Sequence, residues 1–399
     1  MKFDFKRKVL KNGMTILFEK RDSPVVSVAF AVRGGGINES VDEKGIFHFI
    51  EHMLYKGTPK RDAKKIAEEI ERKGGDLNGF TSEEITAYWC KMPSKHLDVA
   101  LEVLGDMVKN PKFDAKELEK ERKVIFEELK MHHDNPRSYI FEGILKSLYD
   151  GTIAINLAGT LETMNSIDRE KMLKKFEEVY TSNNMILCVI GDANFEDVVK
   201  FAEENFGTEK GEISKQEFNL KKGVEIEKRK GIDQANLVFA YHVPLANDKK
   251  NFAAQVLSTL MAEGMSSRLF SEIREKRNLA YGVKGGSEIS KAFAYNFIYV
   301  GTTKENVETV KEIILKEFKD VTENLTEEEL KQIKEQIIGN HYISMEDSQT
   351  QMVNLLISEI EGNAKDFYDF EKNISDVKLE DVKDLAKIKD YSFFALVPE

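Results

Sequence analysis

The feature that most constrains the fold is an internal repeat that spans most of the 399 residues. Each half opens with strand-like runs, among them VVSVAFAVRGG in the first half and ANLVFAYHVP in the second. A helix-period segment, a strand pair and two helices follow in each. An offset of 212 residues aligns Phe113 with Leu325, and in both halves a good helix N-cap comes next, Asp114 or Thr326. The repeat therefore predicts two similar domains, each with one sheet and helices packed against it.

The weakest stretch for packing is the polar run at residues 207–224, which is rich in glycine and lysine. We therefore predict domains at residues 1–212 and 225–399, joined by a linker at 213–224. Strands that alternate with amphipathic helices favour an α+β or an α/β architecture.

Composition and charge exclude several functional classes. The chain has 59 lysines and arginines against 70 aspartates and glutamates, a net charge of −11, whereas nucleic-acid binding favours a basic face. No run of about 18 apolar residues occurs, and the N-terminus lacks the apolar block of a signal peptide. We therefore expect a cytoplasmic protein that binds neither nucleic acid nor membrane. Cys90 and Cys188 lie in apolar, strand-like runs, which indicates buried thiols.

Residues 48–52, HFIEH, have the pattern H-x-x-E-H. On a helix, His48 and His52 lie one turn apart on one face, so both imidazoles can reach one metal ion. Glu51 falls on the same face, where its carboxylate can take a proton from a metal-activated water. Two unrelated histidines can produce this pattern by chance, so a third ligand is needed.

A long helix predicted at residues 114–133 offers that ligand. It carries Glu121, Glu127 and Glu128, and Glu121 and Glu128 share one face because they are two turns apart. A carboxylate from this helix would complete a His/His/Glu zinc site that leaves one position open for water, as catalytic zinc sites do. Spacing does not decide between Glu127 and Glu128, and the ordinary place of glutamates on such a helix is a solvated face.

Together these residues resemble the inverzincin signature of the pitrilysin/insulinase family of zinc peptidases. That family has a glutamate about 75 residues after the second histidine, in the context E-R-x-V-I-x-x-E, and residues 121–128 of this chain read ERKVIFEE. The resemblance implies one Zn²⁺ per chain, with His48, His52 and Glu128 as its three ligands. It also implies that Glu51 is the catalytic base and that Glu121 is a carboxylate that orients a histidine or a catalytic group.

Two further segments resemble parts of the same family that meet the substrate. GGDLNGFTSEEITAYW is similar to the edge strand of the active domain, in which Asn78, Gly79 and Phe80 take the positions that contact an added peptide strand. Relatives often have alanine at position 79, and we expect glycine to loosen the strand. Arg274 and Tyr281 match the family's Arg/Tyr pair, which holds the substrate and the carbonyl under attack.

The resemblance implies an α+β fold of two homologous domains, each a mostly antiparallel sheet packed with helices, which form half of a clamshell. The second domain carries no metal residues, since the offset places Asn340 opposite Glu128 and Ile333 opposite Glu121. Larger relatives join two such units, and the Arg/Tyr donors come from the unit opposite the zinc. We therefore expect a homodimer with composite active sites, whose closed chamber admits oligopeptides or unfolded segments.

Two alternatives stay open. Several relatives are inactive partner or scaffold subunits, which typically lose a zinc ligand or the base, whereas all four residues are present here. A phosphate-binding loop at residues 32–36 is the weaker alternative, since this run lacks the GK[ST] of a P-loop and is typical of a strand that ends in a flexible turn. Bound zinc distinguishes the peptidase from the scaffold.

Overall fold

The computed structural model describes residues 4–215 and 217–399, which form two β-sheets covered by helices. The first sheet contains β1 Asp4–Val9, β2 Thr15–Lys20, β3 Val25–Arg33, β4 Asp76–Thr81, β5 Ile85–Pro93 and β6 Met185–Gly191. The second sheet contains β7 Val224–Arg229, β8 Ala235–His242, β9 Ala280–Ile289, β10 Ala294–Thr302 and β11 Ser392–Pro398.

Both sheets have the same strand order. The first runs β1-β2-β6-β3-β5-β4 and the second β7-β11-β8-β10-β9, so five strands of the first sheet have counterparts in the second. In each sheet one pair is parallel, β2 with β6 and β7 with β11, and the other neighbouring strands are antiparallel. The α+β class, with two similar, mostly antiparallel domains, is therefore confirmed, and β1 is an addition to the first.

In both halves the helices alternate with the strands along the sequence. Those of the first half are α1 Ile46–Leu54, α2 Ala63–Glu71, α3 Leu97–Lys109, α4 Ala115–Asp134, α5 Pro136–Leu148, α6 Leu161–Ser166, α7 Arg169–Val179 and α8 Phe195–Asn205. Those of the second half are α9 Asn251–Ala262, α10 Val307–Asn324, α11 Glu327–Ser344, α12 Ser348–Glu361, α13 Phe370–Ser375 and α14 Leu379–Leu385. Among the described residues, no helix has the length and apolar character that crossing a membrane requires.

The described residues pack as two compact units. The first lies within Met1–Lys130, Gly151–Glu217 and Ser344–Phe367, and the second within Met131–Asp150, Phe218–Ile343 and Tyr368–Glu399. Each sheet is therefore packed with one helix from the other half of the sequence, because α5 contacts β8 and β11 while α12 contacts β3 and β6. The predicted boundaries, 1–212, 213–224 and 225–399, follow the sequence repeat and stay a prediction. Residues 1–3 and Gln216, which they include, lie outside the described residues.

Helix α1 is buried on most sides, and this fixes the position of its histidines. Phe47 and Phe49 are fully buried in the core that packs against the first sheet. The buried Glu39 closes the first turn, since its two carboxylate oxygens accept hydrogen bonds from the backbone N–H of Gly45 at 2.9 Å and of Phe47 at 2.8 Å. Gly45 begins the helix with a φ of 95°, which favours glycine. Burial raises the pKa of Glu39 to about 8, although Lys44 lies nearby.

The two cysteines are free, buried thiols, as the sequence predicts. Cys90 lies in β5 and Cys188 in β6, and burial raises the pKa of both. Both side chains therefore act as apolar packing within the first sheet.

Candidate active site

Three side chains with metal-binding atoms converge in the first unit. His48 and His52 lie one turn apart on α1, and Glu128 reaches them from α4. Oε2 of Glu128 is 3.7 Å from Nε2 of His48 and 3.7 Å from Nε2 of His52. The three residues can each offer one ligand atom such that all three atoms lie within 4.8 Å of one another. The structure thus brings together the residues that the sequence predicts as zinc ligands.

The donor set and its spacing fit a catalytic zinc ion. Two imidazoles and one carboxylate leave one of four tetrahedral positions open, as catalytic zinc sites do. Ligand atoms about 2.1 Å from a tetrahedral zinc ion lie about 3.4 Å apart, close to the 3.7 Å that separates Glu128 from each histidine. All three side chains are partly exposed, so water and substrate have access to the cluster.

Helical spacing does not decide whether Glu127 or Glu128 of α4 is the third ligand, but the structure distinguishes them. Glu127 is exposed, whereas Glu128 belongs to the histidine cluster. Glu121, two turns earlier on the face of Glu128, is buried. The face of α4 that carries Glu121 and Glu128 is therefore the one that meets the histidines.

Glu121 connects a ligand to a lysine. Its Oε2 is 3.1 Å from Nδ1 of His52, and its Oε1 is 2.7 Å from Nζ of Lys56. A carboxylate at Nδ1 favours the tautomer that carries its proton there, which leaves the lone pair of Nε2 free for a metal. Lys56 holds the carboxylate in this position. Glu121 thus has the place that the sequence predicts for an orienting carboxylate.

Glu51 lies beside the cluster and is held by a hydroxyl group from the first sheet. Oγ1 of Thr81 donates a hydrogen bond to Oε2 of Glu51 at 2.6 Å. Burial raises the pKa of Glu51 above its ordinary value, while the hydrogen bond from Thr81 and the nearby His52 act in the opposite direction. A largely buried carboxylate with a fixed orientation is suited to proton transfer.

The predicted substrate strand is β4, the edge strand of the first sheet. It contains Asn78, Gly79 and Phe80, and its partner among the described strands is β5. The two strands pair in regular register from Asp76 to Thr81, and the loosening expected at Gly79 stays a prediction. The N–H of Gly79 donates to Oδ1 of the preceding Asn78 at 2.8 Å.

Gly79 has no room for a side chain. A Cβ atom there would lie 2.6 Å from the hydroxyl oxygen of Tyr55 and 2.8 Å from the carbonyl oxygen of Ala87. Alanine at this position would therefore require both neighbours to move. In this chain, the hydroxyl group of Tyr55 lies in the space beside Gly79 that an alanine methyl group would need.

Arg274 and Tyr281 lie next to each other in the second unit. Arg274 belongs to the π-helical turn Phe270–Glu275, and Tyr281 lies near the start of β9. The guanidinium carbon of Arg274 is 4.9 Å from the centroid of the Tyr281 ring. Tyr281 is 82% exposed, so its phenol is accessible to a ligand. Their role toward the histidine cluster of the first unit stays a prediction.

Sequence reasoning missed Tyr55, Lys56 and Thr81. Strand periodicity was a usable signal for Thr81, because it follows Gly79 by two residues in β4 and so projects from the same face. Lys56 and Tyr55 follow the histidine motif directly, but their contacts are with Glu121 on α4 and Gly79 on β4, which are distant in sequence. No local pattern indicates those contacts.

Comparisons with known proteins identify the family. Residues 15–161 match the family described as Insulinase (Peptidase family M16), and residues 166–337 match Peptidase M16 inactive domain. The chain is 31% identical to the Bacillus subtilis (strain 168) protein named Uncharacterized zinc protease YmxG, over 98% of each chain. It is 33% identical to an uncharacterized zinc protease of Rickettsia felis, over 87% of this chain and 85% of that protein. The chain therefore belongs to the insulinase (M16) peptidase family, as its motifs predict.

Solved structures share the fold over nearly the whole chain. A protease from Helicobacter pylori superimposes with a TM-score of 0.92 at 22% identity, and the match covers 99% of this chain and 100% of that one. A Pseudomonas fluorescens structure described as a peptidase M16 inactive domain gives a TM-score of 0.89 at 20% identity, with 99% and 98% covered. At these identities the likeness shows the two-domain fold.

Proposed function

We propose that this chain is a zinc-dependent endopeptidase that hydrolyses oligopeptides or unfolded protein segments. The observation that carries the proposal is the convergence of His48, His52 and Glu128 within 4.8 Å, with Glu51 beside them. The names of the relatives, zinc proteases in both cases, support the metal and the reaction. The described residues contain one such cluster, which supports one zinc ion per chain.

A zinc ion held by the three ligands would supply a Lewis acid that activates water and polarises the scissile carbonyl. The other steps belong to side chains of the protein. Glu51 accepts the proton that the attacking water loses and passes it to the nitrogen of the leaving amine. Thr81 holds Glu51 during both transfers, and Glu121 prevents His52 from turning.

The substrate form that suits β4 is an extended peptide. An edge strand offers backbone N–H and C=O groups, so a peptide can add as one more strand and is recognised mainly by its backbone. The added strand would replace Oδ1 of Asn78 as the acceptor for the N–H of Gly79. A folded protein does not present a free strand of this kind, which supports oligopeptides and unfolded segments as the substrate class.

We further propose a cytoplasmic homodimer in which each chain forms half of a clamshell and the two active sites are composite. The guanidinium of Arg274 and the phenol of Tyr281 can donate to the carbonyl oxygen that becomes negative during the attack. In larger relatives these donors come from the unit opposite the zinc, so in the homodimer they would serve the partner's zinc. The exposure of Tyr281 supports this role.

An inactive partner subunit is the second candidate. The match of residues 166–337 to a domain described as inactive concerns the half that has no predicted metal residues. The predicted ligands and base lie in the first half, which matches the insulinase family itself. Inactive relatives typically lack one of these four residues, so their presence here favours the peptidase.

The test is cleavage of an internally quenched peptide by wild type and by Glu51→Gln, with zinc measured on both by elemental analysis. We expect about one zinc per chain in each protein and a loss of cleavage of about 10³-fold in the variant, the usual size of a general-base contribution. Glu127→Gln, which changes the exposed neighbour of a ligand, is the matched control and should cleave like wild type. Wild type that binds no zinc and cleaves nothing after zinc is supplied would refute the proposal in favour of the inactive subunit.

A further inference from the structure

Tyr55, the residue that follows α1, has a buried hydroxyl oxygen for which the described part of the chain offers no hydrogen-bond partner. Buried hydroxyl groups in folded proteins are almost always hydrogen-bonded, so an exception calls for a physical explanation. Two neighbouring phenols satisfy each other, because the hydroxyl oxygens of Tyr88 and Tyr180 are 2.7 Å apart. The ring of Tyr55 packs 6.0 Å from that of Tyr88, centroid to centroid. Within this group of three phenols, Tyr55 is the one without a partner.

The space at Gly79 shows what the Tyr55 hydroxyl faces. The point where a Cβ of Gly79 would lie is 2.6 Å from the hydroxyl oxygen of Tyr55 and 3.4 Å from Oε1 of Glu51. Both oxygens therefore border the same small space next to β4. Burial raises the pKa of Tyr55, and the nearby Glu51 raises it further, so the phenol keeps its proton and acts as a donor.

Glu51 has two carboxylate oxygens, and β4 holds one of them. Thr81 donates to Oε2, while Oε1 is the oxygen that borders the space at Gly79. Gly79 and Thr81 are two residues apart in one strand and so project from the same face. A second donor on this side of the strand is therefore placed to hold the second oxygen.

We propose that Tyr55 is a positioning residue for Glu51, and that its hydroxyl donates to Oε1 when the carboxylate moves to accept the proton of the attacking water. Gly79 makes this contact possible because it places no side chain between the two oxygens. The inference rests on the proposed function, since it assigns Tyr55 a role in the proton transfer by Glu51. Once both oxygens are held by hydroxyl donors, the orientation of the carboxylate is fixed while it accepts the proton.

The first test examines the space itself and needs neither metal nor activity. The unfolding midpoint of the metal-free protein is measured for wild type, Gly79→Ala, Tyr55→Phe and the double variant. The approach of the new methyl group to the Ala87 carbonyl oxygen is common to both backgrounds and cancels in this cycle. We expect Gly79→Ala to lower the midpoint more in wild type than in Tyr55→Phe, where the hydroxyl is absent. An equal decrease in both backgrounds overturns the inference.

The second test examines the role in catalysis. We expect Tyr55→Phe to lower kcat about tenfold, the size expected for one lost hydrogen bond to a charged group, with KM and zinc content unchanged. The matched control is Tyr180→Phe, which removes from the same group a phenol hydroxyl that pairs with Tyr88, and it should keep the wild-type kcat. A kcat of Tyr55→Phe equal to that of wild type, or a decrease matched by Tyr180→Phe, overturns the inference.

Peptide binding separates positioning from substrate recognition. In the Glu51→Gln background, which does not turn over, the affinity for a fluorescent peptide is measured by anisotropy with and without Tyr55→Phe. We expect equal affinities, and a weaker binding in the double variant overturns the positioning role. If wild type binds zinc and cleaves while Tyr55→Phe is unchanged, the inference fails and the proposed function stands. If wild type does neither, the proposed function fails and the inference falls with it.

Discussion

The contact between Glu121 and His52 leads to a prediction for zinc affinity. In Glu121→Gln the side chain keeps its shape but loses its charge and one of its two acceptor oxygens. The native carboxylate uses both oxygens, one at 3.1 Å from Nδ1 of His52 and one at 2.7 Å from Nζ of Lys56. The amide of glutamine can accept from one of these groups only, and its NH₂ group then faces the other donor. The substitution therefore places an NH₂ group against a donor in a region where position 121 is 7% exposed.

The size of the effect follows from these contacts. Loss of a partner that orients a metal-bound histidine weakens metal affinity about 10–100-fold, or about 1.4–2.7 kcal/mol. Because Glu121 is buried and both of its oxygens are engaged, we expect the upper part of this range. Lys56→Met leaves the carboxylate on His52 and should weaken zinc binding less than tenfold. In the double variant the amide oxygen is free to turn to His52, so Lys56→Met should recover part of the affinity lost in Glu121→Gln.

The assay is competition with a chromophoric zinc chelator at fixed pH and ionic strength. Glu127→Gln removes one negative charge from the same helix at an exposed position and controls for the change in net charge. Zinc dissociation constants of Glu121→Gln and wild type that agree within about twofold would refute the reasoning. A double variant that binds zinc no better than Glu121→Gln would refute the part that concerns Lys56.

Two further predictions concern stability. Burial raises the pKa of Glu39 from 4.5 to about 8, so between these values the folded chain binds a proton that the unfolded chain has released. The free energy of unfolding of wild type, relative to Glu39→Gln, should therefore fall as the pH rises from about 5 to about 8 in urea titrations, and a flat difference would contradict this. Phe239 is fully buried in the core of the second unit, and Phe239→Ala should lower the free energy of unfolding by about 3–5 kcal/mol. A loss below about 1 kcal/mol in the same titrations would contradict that estimate.

The sequence predicts the architecture because local patterns and the repeat agree. Alternating apolar residues indicate the strands, and N-cap residues mark helix starts, as Asp114 does for α4, where its side chain accepts from Lys116 N and Glu117 N. Local patterns did not predict that α5, from the first half of the sequence, packs on the second sheet, or that α12, from the second half, packs on the first sheet. Both helices bury residues along one face, and the sequence pattern does not indicate which sheet that face contacts. Which sheet each contacts depends on the path of the chain in three dimensions.

The site was predictable to the extent that its residues lie on one regular element. His48, Glu51 and His52 follow from helical spacing, and the shared face of Glu121 and Glu128 follows from a separation of two turns. Helical spacing alone leaves Glu127 and Glu128 open, because neighbouring residues on a helix point in different directions. The family resemblance names Glu128, and the orientation of α4 places that residue at the histidines. Strand periodicity places Thr81 on the same face of β4 as Gly79, but no local pattern indicates that Tyr55 reaches that strand.

The second half of the chain indicates that the metal cluster is not what holds this architecture together. Its sheet repeats the strand order of the first, yet the sequence offset places Ile333 where the first half has Glu121. Ile333 is buried in the apolar core of the second unit, so the same position that packs an isoleucine there carries a buried carboxylate in the first unit. Burying a charged group is unfavourable unless partners compensate for it, and Glu121 has them in His52 and Lys56. The polar residues around α1 are therefore best explained by a role in metal binding and catalysis, because the second unit forms the same fold without corresponding residues.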